Sequence, residues 1–131
     1  MNPEKRVIRE VRTYTQAQEY LSHIKYVYDP KQETSFRVIN RTKKGARVQA
    51  AIAVQALLSD NPQYKVTQMS LRRIPSTTNL SHRVALIQDP KTKKYGSLGM
   101  NKEDCLQLDF LTIDEVFNQL NSNFSNIFGG Y

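Results

Sequence analysis

The chain has 131 residues and a formal net charge of +7, a size that fits one domain with one hydrophobic core. Hydrophobic residues make up 39% of it and charged residues 24%, a balance too apolar for a disordered protein. No apolar run approaches the length of a bilayer, and no apolar stretch follows the basic first residues, so we expect neither a membrane span nor a signal peptide. The single cysteine, Cys105, excludes an internal disulfide and is typical of a reducing, cytoplasmic environment.

The positive charge is unevenly distributed along the chain. Residues 1–94 carry a net charge of +11, whereas residues 95–131 carry −4. A basic body of this kind predicts an anionic partner, either nucleic acid or an acidic protein surface. The same charge also serves solubility alone, and no nucleic-acid recognition motif accompanies it.

The first third of the chain predicts one helix between two short extended segments. Arg6–Thr13 is compatible with an edge strand, and Ser35–Asn40 (SFRVIN) with a second short strand. Between them, Thr15–Tyr28 has apolar residues three and four positions apart, which indicates an amphipathic helix with Thr15 as its N-cap. Asp29-Pro30 ends this helix.

The segment Ala46–Ser59 is the most informative part of the sequence. It is apolar on almost every side, which predicts a helix buried in the core rather than one lying on its surface. Its many alanines favour a helix and allow neighbouring elements to approach closely. Asp60-Asn61-Pro62 ends it.

The remainder of the chain predicts strands followed by a last helix. The predicted strands are Tyr64–Arg72, His82–Gln88, Tyr95–Gly99 and Leu106–Phe110, and a helix capped by Thr112 follows them. The polar turn between the second and third strands has the length of a hairpin connection. We therefore predict a single α+β domain over residues 1–131, with a buried central helix packed on a small antiparallel sheet and flanked by N- and C-terminal helices.

Several kinds of reactive site are disfavoured by the sequence. One Cys and two His do not supply a tetrahedral zinc site, and neither a glycine-rich phosphate loop nor a G-x-S-x-G elbow is present. Cys105 follows Asp104, and an adjacent acid raises a thiol pKa, so nothing supports Cys105 as a nucleophile. We expect no metal and no cofactor.

The order of three motifs points to a family. Gly45-Ala46-Arg47 opens the buried helix, His82 heads a later strand, and Tyr95–Gly99 follows as the next strand. In this order the chain resembles, over about residues 40–125, the transglutaminase-like branch of the papain-type cysteine hydrolases and acyltransferases. In that branch a Gly-x-Cys opens the helix, a His heads a later strand, and an Asp or Asn on the next strand or turn orients the imidazole.

The resemblance implies a role for each matching position. His82 corresponds to the general base, and Asn101 to the group that orients it. Arg47 stands at the nucleophile position, or Ala46 after a one-residue slip, and neither side chain can attack a carbonyl. In the family, the partial positive charge of the helix N-terminus stabilises the thiolate that this chain lacks.

Two accounts of the missing cysteine remain open. The chain is either a natural pseudoenzyme that acts as a binding or regulatory module, or an active cysteine hydrolase or acyltransferase whose nucleophile has been replaced. The gene's codons for Ala46 and Arg47 distinguish them. In either case we predict that His82 faces the start of the buried helix and that the chain with Arg47 has no hydrolase or transglutaminase activity. Without a nucleophile, His82 is also compatible with an ordinary histidine at the end of a strand.

A basic cluster precedes and opens the buried helix. It consists of Arg37, Arg41, Lys43, Lys44 and Arg47, with no acidic residue between Glu33 and Asp60. Cations oppose the dipole of a helix N-terminus, so their presence there predicts a bound anion, such as nucleic acid or an acidic protein group. A solvated basic loop is the alternative.

Overall fold

The computed structural model describes residues 2–27, 35–72 and 81–128, of which Arg72, Ser81 and residues 124–128 are described by their backbone alone. The fold is α+β, as predicted. In chain order the elements are α1 (Pro3–Glu10), α2 (Tyr14–Ser22), β1 (Lys25–Tyr26), α3 (Phe36–Thr42), β2 (Lys44–Gly45), α4 (Arg47–Leu58), β3 (Lys65–Arg72), β4 (Ser81–Gln88), β5 (Tyr95–Leu98), β6 (Leu106–Phe110) and α5 (Ile113–Phe128). One 3₁₀ turn, Lys102–Asp104, lies between β5 and β6.

Strands β3 to β6 form one antiparallel sheet in sequence order. In its register His82 lies opposite Leu71, and Leu86 opposite Ser97. Pairing of β5 with β6 is irregular between Tyr95 and Ser97, where the register shifts. The two short strands β1 and β2 pair in parallel, apart from this sheet.

Helix α4 is the buried central helix that the sequence predicts. It packs against β3 and β4, and Ala53, Val54 and Leu57 belong to the same buried cluster as Ala85 and Ile87 of β4. Because small alanine side chains face the sheet, helix and strands approach closely, and a continuous apolar core forms.

A second apolar cluster lies on the opposite face of the sheet. Val116 and Leu120 of α5 are buried there with Leu71, Val84 and Leu86. The sheet therefore lies between α4 on one face and α5 on the other. Among the described residues, no helix has both the length and the apolar character to cross a membrane.

The predicted strand at Arg6–Thr13 is wrong, because this segment begins with helix α1. Asn2 caps α1 by accepting a hydrogen bond from the amide of Lys5 at 2.9 Å, and Pro3 supplies the fixed φ that suits a first helical position. These two residues favour a helix at this position, and their effect outweighs the alternation of polar and apolar residues that favours a strand.

The predicted strand at Ser35–Asn40 is also wrong, since helix α3 covers it. Ser35 is the N-cap, and the helix ends at Lys43, whose φ of 55° is left-handed. Ile39 is fully buried against α4, so tertiary packing decides the conformation of a segment whose β-branched residues favour a strand.

Helix α2 is shorter and begins earlier than predicted. Thr13 rather than Thr15 is the cap, because its hydroxyl accepts from the amide of Gln16 at 3.1 Å while the Gln16 side chain accepts from the amide of Thr13 at 3.2 Å. After Ser22 the chain turns into β1. The predicted end at Tyr28 and Asp29-Pro30 lies outside the described residues.

Candidate functional site

A buried histidine–carboxylate pair lies at the start of β4. His82 Nε2 is 2.7 Å from Asp104 Oδ1, and the two side chains are only 1% and 7% exposed. The residues are 22 positions apart in the sequence, so the fold alone brings them together. A short hydrogen bond away from water holds an imidazole in one orientation and one tautomer.

Two hydrogen bonds and one glycine position Asp104. Its second oxygen, Oδ2, accepts from the amide of Asn101 at 3.0 Å, and its main-chain carbonyl accepts from Ser97 Oγ at 2.7 Å. A Cβ at Gly99 would lie 2.7 Å from Asp104 Cβ. The absence of a side chain at Gly99 therefore provides the space that Asp104 occupies. These contacts hold Asp104 in place independently of its hydrogen bond to His82.

The residue beside the His82 ring is Asp104 rather than Asn101. The resemblance assigns the orienting position to Asn101. In the structure the backbone N–H of Asn101 instead donates to Asp104, within the turn that both residues share. Only the turn geometry distinguishes the two residues. Asparagine and aspartate both favour turns, and this preference is the one signal that the sequence offers for this geometry.

The topology fixes the side of the sheet that His82 occupies. Along β4 it alternates with Arg83 and therefore shares a face with Val84 and Leu86, which pack under α5. The chain leaves α4 at its C-terminal end and runs back along the sheet in β3, so β4 starts toward the N-terminal end of α4. Because α4 covers the other face, this alternation places the His82 side chain on the side of the sheet away from α4 and disfavours the prediction that its ring faces the first turn of that helix.

The first turn of α4 presents amides and a guanidinium, and no nucleophile. Its N-cap, Ala46, has no side-chain oxygen to accept a hydrogen bond from the first turn, and its own amide donates to the buried Oε1 of Gln49 at 3.0 Å. The guanidinium of Arg47 lies 5.6 Å from the centre of the Tyr26 ring, a cation–π distance. Arg47 is thus a positioned cation at the place where the resemblance expects a thiolate.

The basic cluster is divided among different neighbours. Lys43 Nζ donates to Asn40 at 2.8 Å and lies 4.6 Å from the centre of the Tyr20 ring, and burial lowers the pKa of this lysine. The hydroxyl of Tyr20 donates to the same Asn40 oxygen at 2.7 Å, and burial raises the pKa of Tyr20 to about 12. Lys44 is exposed, and Arg37 and Arg41 line a pocket beside α1.

Cys105 follows the buried pair directly but is not activated by it. Its Sγ lies 3.6 Å from the carbonyl of Asn101 and 3.8 Å from that of Gly99. Burial raises the pKa of this thiol, and the Asp104 charge raises it further. Over residues 2–27, 35–72 and 81–128, no group of three or more His, Cys, Asp or Glu side chains is arranged to hold a metal ion.

The sequence matches no protein-family model and no curated protein. The resemblance to the transglutaminase-like enzymes therefore depends on the order of motifs alone, and the candidate site on the geometry of His82 and Asp104.

Proposed function

We propose that the chain is a transglutaminase-like domain that has kept the histidine–aspartate part of the catalytic site, lacks the nucleophile, and acts as a binding or regulatory module. The observation that carries this proposal is the buried 2.7 Å contact between His82 and Asp104. Burial of such a pair costs solvation free energy, which makes it an unusual choice for a purely structural position.

The order of the elements supports the same proposal. A buried helix lies against the sheet that bears His82, and it begins at Arg47, the position that the resemblance gives to the nucleophile. In the family, the helix N-terminus and the imidazole together stabilise a thiolate at this position. Here the alternation along β4 leaves the helix N-terminus as the nearer of the two, because His82 lies on the other face of the sheet. Arg47 replaces that thiolate with a cation, which suits the recognition of an anionic group on a partner rather than acyl transfer.

The test restores the missing thiol. In a Cys105→Ser background, we would introduce Arg47→Cys or Ala46→Cys and measure the rate of alkylation by iodoacetamide between pH 5 and 9. We expect one of these two thiols to react at pH 6 at least tenfold faster than the matched control, Ser59→Cys, which stands at the opposite end of the same helix.

Adding His82→Gln should remove most of the acceleration, because in the family's arrangement the imidazole accepts the proton of the thiol. Rates at positions 46 and 47 no faster than at position 59 would overturn the proposal. An acceleration that survives His82→Gln would do so too, because it would show the helix N-terminus acting alone. Because the alternation along β4 places His82 on the face of the sheet opposite α4, the His82→Gln variant tests directly whether the imidazole acts at the first turn of that helix.

A second candidate function is nucleic-acid binding by the basic face, favoured by the exposure of Arg37, Arg41 and Lys44. Filter binding across a salt series measures it, since the logarithm of the binding constant falls with log salt by about 0.7–0.9 per phosphate contacted. Replacing Arg41 and Lys44 by Ala should reduce the slope by about two units. Lys43 is unsuitable for this test because it packs on Tyr20.

A further inference from the structure

A pocket of about 490 Å³ lies between the start of α1 and helix α3, away from the histidine–aspartate pair. Its lining residues are Asn2, Pro3, Glu4, Arg37, Asn40 and Arg41. Pockets for small ligands in proteins have volumes of about 300–1,000 Å³, and this pocket lies within that range.

The two asparagines present donors to this pocket. The oxygen of Asn40 accepts from both Tyr20 and Lys43, which uses its two lone pairs. The oxygen of Asn2 accepts from the amide of Lys5 as the cap of α1. The Asn40 oxygen is therefore fully used, and the polar atom that this side chain can offer a ligand is its nitrogen, Nδ2. Asn2 can offer its own Nδ2 and one remaining lone pair on its oxygen. Asn40 is 7% exposed, so its position is fixed.

The charged side chains add to this donor character. Arg37 and Arg41 each carry a planar guanidinium with five N–H donors and no acceptor. The one carboxylate of the lining, Glu4, lies 4.0 Å from Arg37 Nε in a side-chain pair whose arginine is 79% exposed. A contact this long and this hydrated leaves the Arg37 fork available to a ligand. The lining therefore has a net positive charge.

We propose that this pocket binds a phosphoryl group carried by a small molecule, with Arg37 and Arg41 contacting its oxygens from α3 and the Asn40 amide donating from the pocket wall. A tetrahedral dianion with three terminal oxygens accepts bonds from several directions, which suits several donors along one face of α3 with the Asn2 side chain across the pocket at the start of α1. This inference does not depend on the function proposed for His82 and Asp104.

Isothermal titration of the full chain at low salt tests the inference with four probes. These are 5′-AMP, adenosine, inorganic phosphate, and a single-stranded oligonucleotide without terminal phosphates. We expect 5′-AMP and inorganic phosphate to bind and adenosine to show no binding, because the phosphoryl group supplies the contacts. Binding of the oligonucleotide alone would assign the arginines to a nucleic-acid backbone and overturn the proposal.

Three variants locate the site. Arg37→Gln with Arg41→Gln should weaken 5′-AMP binding at least tenfold. Lys91→Gln with Lys94→Gln, which removes the same charge from the exposed β4–β5 turn, should change it less than twofold. Glu4→Gln should strengthen binding two- to threefold, since it removes the carboxylate that competes for Arg37. Equal losses in both double variants, or binding unchanged in the arginine variant, would overturn the proposal.

Discussion

Two pairs of oppositely ionisable side chains in this protein differ in how strongly they are excluded from solvent, and this difference changes what each pair can do. His82 and Asp104 meet at 2.7 Å with side chains almost fully excluded from solvent. Arg37 and Glu4 stand 4.0 Å apart, and the arginine is 79% exposed. The contact is long and water surrounds the arginine, so the pair contributes little to stability and leaves Arg37 available to other partners. The first pair has no such freedom, since removing either group would take away the hydrogen bond made by the buried His82 Nε2 or Asp104 Oδ1 of the other.

The backbone explains the contrast between the two pairs. Asp104 is held by an amide on one oxygen, a serine hydroxyl on its own carbonyl, and a glycine that allows it to approach. Glu4 and Arg37 instead project from two separate helices. A preorganised group can orient a reacting partner, whereas a hydrated, loosely paired arginine can bind and release a charged ligand.

The largest effect is expected from breaking the buried pair. Asp104→Ala leaves His82 and the Asn101 amide without their carboxylate, and we expect the free energy of unfolding to fall by about 3 kcal/mol. Chemical denaturation measures the change. The matched control is Glu103→Ala, which removes an exposed neighbouring carboxylate and should cost less than about 0.5 kcal/mol. Equal stability of the two variants would contradict the conclusion that the buried hydrogen bond between His82 and Asp104 stabilises the fold.

Elements with long, consistent patterns could be predicted from the sequence. The continuous apolar character of α4 and the alternation in β4 identify them without tertiary information, because their burial follows from their own composition. The short helices α1 and α3 could not be assigned in the same way. Each depends on a cap, Asn2 or Ser35, and on packing against elements that are distant in the sequence.

The candidate site was predictable only in part. His82 stands out because it opens an apolar strand, but its partner is set by the turn at Asn101–Asp104 and by the space at Gly99. The hydroxyl of Tyr14 likewise donates to the carbonyl of Leu106 across the irregular β5–β6 pairing, a contact between residues 92 positions apart. Such contacts depend on register and turn geometry, which local patterns do not contain.

An intermediate effect is expected at the thiol beside the buried pair. Burial raises the pKa of Cys105, so at a given pH a smaller fraction is thiolate, the form that reacts. We expect alkylation by iodoacetamide at pH 8 to be several-fold slower than that of an exposed thiol introduced by Thr42→Cys in a Cys105→Ser background. The pH of half-maximal rate should also be higher for Cys105. A rate for Cys105 equal to or above that of the exposed thiol would show an activated cysteine.

The smallest effect is expected at the exposed pair. A double-mutant cycle with Glu4→Gln and Arg37→Gln should give a coupling free energy of about 0–0.5 kcal/mol, because the 4.0 Å contact is hydrated and screened. Added salt should reduce that value further. Thermal denaturation of the wild type, both single variants and the double variant supplies the four free energies. A coupling above about 1 kcal/mol would mean that Glu4 holds Arg37 firmly. Arg37 would then not be available to a phosphoryl ligand. The contrast between the rigid pair of His82 and Asp104 and the loosely held pair of Arg37 and Glu4 would no longer hold.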